Sequence, residues 1–60
     1  MKYYRLDRNF IDNEGHVQTK TIREYRSLDA ASHDYYGYTI MANKDEWFEI
    51  FEVTERVITL

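Results

Sequence analysis

Residues 45–53 read Asp-Glu-Trp-Phe-Glu-Ile-Phe-Glu-Val, so five large apolar side chains and four carboxylates fall within nine positions. As a strand, this segment sends Trp47, Phe51 and Val53 to one face and Phe48 and Ile50 to the other. Few small folds cover both faces of such a strand. One face is expected to pack on the chain's own core and the other to seek a partner. Glu46 and Glu52 share a face with Phe48 and Ile50, while Glu49 lies with Trp47 and Phe51. The larger aromatics with a single carboxylate make the better core side. The outward surface is therefore expected to be Glu46, Phe48, Ile50 and Glu52. A helix is the alternative for this stretch, because Asn43 followed by Glu46 resembles a capping box. The aromatics and the β-branched residues that follow favour the strand.

Sixty residues make a single domain, which buries only about 60% of the surface its unfolded chain exposes. Small chains often compensate with disulfides, a metal or association. The chain has no cysteine and two histidines, so neither a disulfide nor a structural zinc site is expected. Self-association or partner binding is the remaining supplement. The absence of cysteine fits a reducing, cytoplasmic setting. No signal peptide is visible and no apolar run is long enough to span a membrane.

Two extended runs, residues 2–11 and 16–25, flank Asp12-Asn13-Glu14-Gly15, a strong turn signal. A four-residue loop sets Ile11 against His16 and Phe10 against Val17. That register gives a core face of Phe10/Val17, Arg8/Thr19, Leu6/Thr21 and Tyr4/Arg23. It also offers an Asp7–Lys20 ion pair on the other face.

Ser27 to Gly37 reads as one helix over 28–37. Ser27 is the N-cap, Asp29 favours the positive end of the helix dipole, and Gly37 suits the C-cap. Leu28, Ala31 and Tyr35 share a helical face and point inward. Tyr35 is expected inside and Tyr36 outside, available for contact. Residues 38–41, 45–53 and 57–60 follow as strands. The expected fold is α+β: an antiparallel sheet with one helix on one face, in ββαββ order. Its parts are a hairpin at 2–25, a helix at 28–37 and C-terminal strands within 38–60.

No arrangement points to catalysis. Ser32, His33 and Asp34 are consecutive on a helix, about 100° apart, and cannot converge as nucleophile, base and orienter. No phosphate loop or zincin motif occurs. A substrate cavity of roughly 300 Å³ or more is hard to enclose with one helix. No cofactor, metal or catalytic residue is expected.

Charge points to the class of partner. The net charge is −3. Residues 1–26 carry six bases and four acids, a balance of +2, and residues 27–60 carry two bases and seven acids, a balance of −5. The acidic half favours a protein with a basic surface over nucleic acid. The alternative is single-stranded nucleic acid bound by Arg5, Arg8, Lys20, Arg23 and Arg26 with the interleaved tyrosines. These bases divide between the two faces of the hairpin, which weakens that footprint. The expected function is non-catalytic protein binding through Glu46, Phe48, Ile50, Glu52 and Tyr36, with self-association.

In length, acidity and element order the chain resembles the small accessory proteins of bacteriophages. Those include the short inhibitors of uracil-DNA glycosylase and the short antitoxins that block host RNase toxins. The one local feature in common is Tyr36-Gly37 at the helix end. The resemblance implies a strategy of binding and blocking a host enzyme in the host cytoplasm, and assigns no residue a role.

Overall fold

A computed structural model describes residues 1–59. It contains β1 (Lys2–Ile11), β2 (Val17–Tyr25), α1 (Leu28–Ile40) and β3 (Glu46–Thr54). The three strands form one antiparallel sheet in the order β2-β1-β3. The fold is α+β as expected, but its order is ββαβ. Residues 38–40 continue the helix instead of forming a strand, and 55–59 have no regular structure. Leu60 lies outside the described residues.

The hairpin turns one residue differently from the expected register. Asp12 donates its N–H to the His16 carbonyl, and Gly15 donates to the Asp12 carbonyl. The loop is therefore Asn13-Glu14-Gly15, with Gly15 at φ 81°, where other residues are strained. Asp12 Oδ1 also accepts from the N–H of His16 and of Glu14, and Oδ2 accepts from Gln18. These bonds, led by the one from His16, hold its carboxyl below the usual range. Ile11 consequently faces Val17 and Phe10 faces Gln18. A bulge then leaves Ile22 unpaired between Thr21, opposite Asp7, and Arg23, opposite Leu6. The bulge turns Ile22 towards the core and puts Tyr25 beneath the helix.

Ser27 caps α1 as expected, accepting from the Ala30 N–H at 3.2 Å. The helix runs through Gly37 to a C-cap at Met41. Tertiary packing overrides the glycine: one residue later, the Tyr38 ring stacks on Phe48 with centroids 5.2 Å apart. A single glycine in a helix costs only about 1 kcal/mol against that contact. Ala31 is fully buried, Tyr35 is half-buried against the core and Tyr36 is exposed, as expected. Leu28 is exposed, contrary to expectation.

The core is small. Leu6, Tyr25, Ala31 and Phe48 are its buried apolar residues, with Tyr4, Ile22, Tyr35, Ala42 and Ile50 packed around them. Tyr25 donates to Asp34 Oδ2 at 2.6 Å, joining β2 to α1. The molecule is elongated and thin, 46 × 27 × 11 Å, with a radius of gyration of 14.0 Å. A compact chain of this length has a radius nearer 10 Å.

Candidate interaction surface on the open sheet face

The helix covers one face of the sheet and leaves the other open. Cross-strand pairing fixes which residues lie on each. Leu6 pairs with Ile50 and Arg8 with Phe48 on the helix side, whereas Arg5 pairs with Phe51, Asp7 with Glu49 and Asn9 with Trp47 on the open side. The faces of β3 are thus the reverse of those expected from sequence. Phe48 is 7% exposed, while Trp47 and Phe51 are 41% and 40% exposed.

The open face is organised by a polar ladder along the central strand. Asp7 and Asn9 are its buried polar residues. Asp7 Oδ1 accepts from Arg5 Nε at 3.0 Å and from Thr21 Oγ1 at 2.9 Å. Asn9 Oδ1 accepts from Thr19 Oγ1 at 2.7 Å, and its Nδ2 donates to Glu49 Oε1 at 2.7 Å. Among the described residues, no buried side-chain nitrogen or oxygen lacks a partner. The ladder is therefore internally satisfied, which is what makes its burial tolerable. It also replaces the expected Asp7–Lys20 pair, since Lys20 lies on the helix side, 5.8 Å from the Phe10 ring.

Large side chains flank the ladder. The Arg5 guanidinium sits 5.0 Å from the Phe51 ring centroid. Trp47 and Phe51 stand on either side of Glu49. Ile11 and Val17 are exposed at the hairpin end of the same face. The result is an apolar surface crossed by a fixed polar line, with Glu49 held between the two aromatics.

The residues expected to make contact lie elsewhere. Glu46, on the helix side, accepts from Arg8 Nε at 2.6 Å and from the Asn43 N–H at 3.1 Å. The Arg8 bond foremost holds its carboxyl below the usual range. Half of the capping-box pair forms: the Glu46 side chain accepts from the Asn43 N–H, the Glu46 N–H goes to the Asn43 backbone carbonyl, and the turn leads into a strand. Phe48 lies in the core, and Ile50 is half-buried opposite Leu6. Glu52 is exposed and 3.7 Å from Lys2. Tyr36 projects from the helix with its ring edge-on to Tyr35. The structure groups the four β3 residues on the helix-bearing face and places Tyr36 on the helix surface, so they form no common outward patch. Sequence reasoning missed Glu49, Trp47 and Phe51 as one exposed group. The available signal was Asn9 and Asp7 on β1, two polar residues that demand polar neighbours on their own face.

An open cleft of about 610 Å³ lies at the end of the sheet, lined by Lys2, Tyr3, Glu24, Tyr25, Arg26 and Glu55 among others. The cleft is open to solvent, whereas the sequence expectation concerned an enclosed cavity. Among the described residues, no group of three or more metal-ligating side chains converges. No helix among them is long and apolar enough to cross a membrane. The chain matches no protein-family model, no curated protein and no solved structure.

Proposed function

We propose that this chain is a non-catalytic protein-binding module whose contact surface is the open sheet face, with Trp47 and Phe51 as anchors and Glu49 between them. The observation that carries this reading is the exposure of both aromatics beside a buried, fully bonded polar ladder. Aromatic anchors on a rigid support supply contact area at little entropic cost. Glu49 favours a partner offering a lysine or arginine between two apolar contacts, in keeping with the acidic C-terminal half. Binding and blocking a basic, nucleic-acid-handling host enzyme is one role this surface would serve.

Charge placement argues against nucleic acid. Arg8 lies over the Phe10 ring and Arg23 near the Tyr25 ring, both on the helix side. The exposed aromatics on the open face have Arg5 as their neighbouring base, and Arg5 is already engaged by Asp7. A stacking platform needs its bases and its aromatics on one face.

The test compares proteins retained by the immobilised chain with those retained by Trp47→Ser/Phe51→Ser and by Tyr36→Ala. A partner held by the unaltered chain and by Tyr36→Ala, but lost with the double variant, supports the reading. Retention that ignores Trp47 and Phe51 overturns it. So does binding of single-stranded oligonucleotides that falls by about 0.7 log units per log unit of salt for each phosphate contacted.

A further inference from the structure

The sheet has two edges, and they are built differently. β2 carries a bulge at Ile22, with Lys20 and Arg23 beside it. Bulges and basic side chains are the usual guards against edge pairing. β3 has nine residues in unbroken register with β1 and holds neither a bulge, a proline nor a lysine.

The backbone shows which groups of β3 are free. Ile11 donates to the Asp45 carbonyl and Glu55 donates to the Met1 carbonyl, so odd-numbered residues turn their N–H and C=O towards β1. The even-numbered residues Phe48, Ile50, Glu52 and Thr54 turn theirs outward, along the free edge.

We infer that a second copy of this chain pairs antiparallel with β3 about a two-fold axis at Ile50. The inference rests on the protein-binding reading and adds a second contact beside the open face, the β3 edge, with a second copy of the chain as its occupant. The strand complements itself in this register. Glu46 meets Thr54, Glu49 meets Phe51 and Glu52 meets Phe48, so no carboxylate faces another. Moving the axis to Glu49 sets Glu49 against itself and Glu46 against Glu52, which like-charge repulsion disfavours. Moving it to Phe51 shortens the overlap. With the axis at Ile50, the pairs Phe48/Glu52, Ile50/Ile50 and Glu52/Phe48 exchange about six backbone hydrogen bonds.

Surface area agrees with a partner of this size. The accessible surface is 5180 Å², whereas a compact protein of 7.4 kDa exposes about 4,200 Å². The excess, shared between the thin sheet and the exposed residues 55–59, is comparable to the roughly 800 Å² each partner buries in a standard interface. The axis also leaves both helices on one side of a six-stranded sheet ordered β2-β1-β3-β3-β1-β2. On the other side, Trp47 meets the second copy's Val53 and Phe51 its Glu49, merging two open faces into one.

Sedimentation equilibrium of the pure chain should show a closed dimer, twice 7.4 kDa. In hydrogen exchange, the amides of Phe48, Ile50 and Glu52 should slow as concentration rises, while those of Val17, Thr19 and Thr21 on β2 should not. Glu52→Pro removes an outward donor without touching the β1 ladder, and the symmetry removes it twice. It should weaken association roughly a hundredfold, whereas Val17→Pro on the other edge should not. A monomer at roughly millimolar concentration, growth beyond a dimer, or a dimer whose β3 amides still exchange freely overturns the inference. Should Glu52→Pro fail to fold, exchange in the unaltered chain decides. A monomer that still loses its partner with Trp47→Ser/Phe51→Ser sinks the dimer alone. An intact dimer whose partner binding ignores those residues sinks the open-face reading alone.

Discussion

Asn9 donates to Glu49 at 2.7 Å, and this bond ties the central strand to β3 on the face without a helix. Asn9 in turn accepts from Thr19, so one buried amide joins all three strands. The bond also keeps Glu49 upright between Trp47 and Phe51. Asn9→Ala should leave Thr19 and Glu49 unpaired and cost about 1–3 kcal/mol, measured by urea unfolding. Asn9→Asp places two carboxylates together and should cost more at neutral pH than in acid.

The reversal of the β3 faces gives a direct comparison. Phe48 fills the space between Leu6 and Tyr38, so Phe48→Ala should cost about 3–5 kcal/mol. Domains of this size have little more than that to lose, and the variant should be largely unfolded by circular dichroism. Trp47→Ala leaves the core intact and should lower stability markedly less, as thermal melts will show.

The α+β class, the turn at 12–15, the Ser27 cap and the strand at 45–53 were all legible, because each rests on local chemistry. The faces of β3 were not. The expectation weighed aromatic size against carboxylate count within one strand. The deciding factor was β1, whose Leu6 demanded apolar partners beneath the helix and whose Asp7 and Asn9 demanded polar ones opposite. The register failed because Asp12 pairs with His16, which shortens the loop to three residues. Gly37 misled as a stop signal because the Tyr38–Phe48 stack lies outside the local sequence. The sequence singled out the same strand as the surface proposed above and assigned its two faces in reverse. The backbones of Phe48, Ile50 and Glu52 lie along the free edge of β3, while the side chains of the neighbouring odd positions lie on the open face.

Gly37 sits inside α1 with ordinary helical φ, and a Cβ built there meets nothing within 4 Å. Gly37→Ala should therefore stabilise the fold by about 0.5–1 kcal/mol. The gain comes from the unfolded chain, which loses conformational freedom. A raised denaturation midpoint with an unchanged urea slope is the expected result. Gly15→Ala should do the opposite, since φ 81° strains any residue bearing a Cβ.

Tyr25 ties pH to stability. Burial, and then its bond to the Asp34 carboxylate, push its hydroxyl from 10.0 up to about 12. The folded chain therefore holds this proton more tightly than the unfolded chain does. The associated stability is fully present below the unfolded value near 10 and is lost as pH rises towards 12. Followed by absorbance at 295 nm, Tyr25 should give a late ionisation step as pH approaches 12. Tyr25→Phe should remove the late step and flatten the alkaline fall in melting temperature. It should also lower stability at neutral pH by about 1–3 kcal/mol, because Asp34 loses its donor. If the unaltered chain and Tyr25→Phe lose stability identically above pH 10, the Tyr25–Asp34 bond is not what couples β2 to the helix.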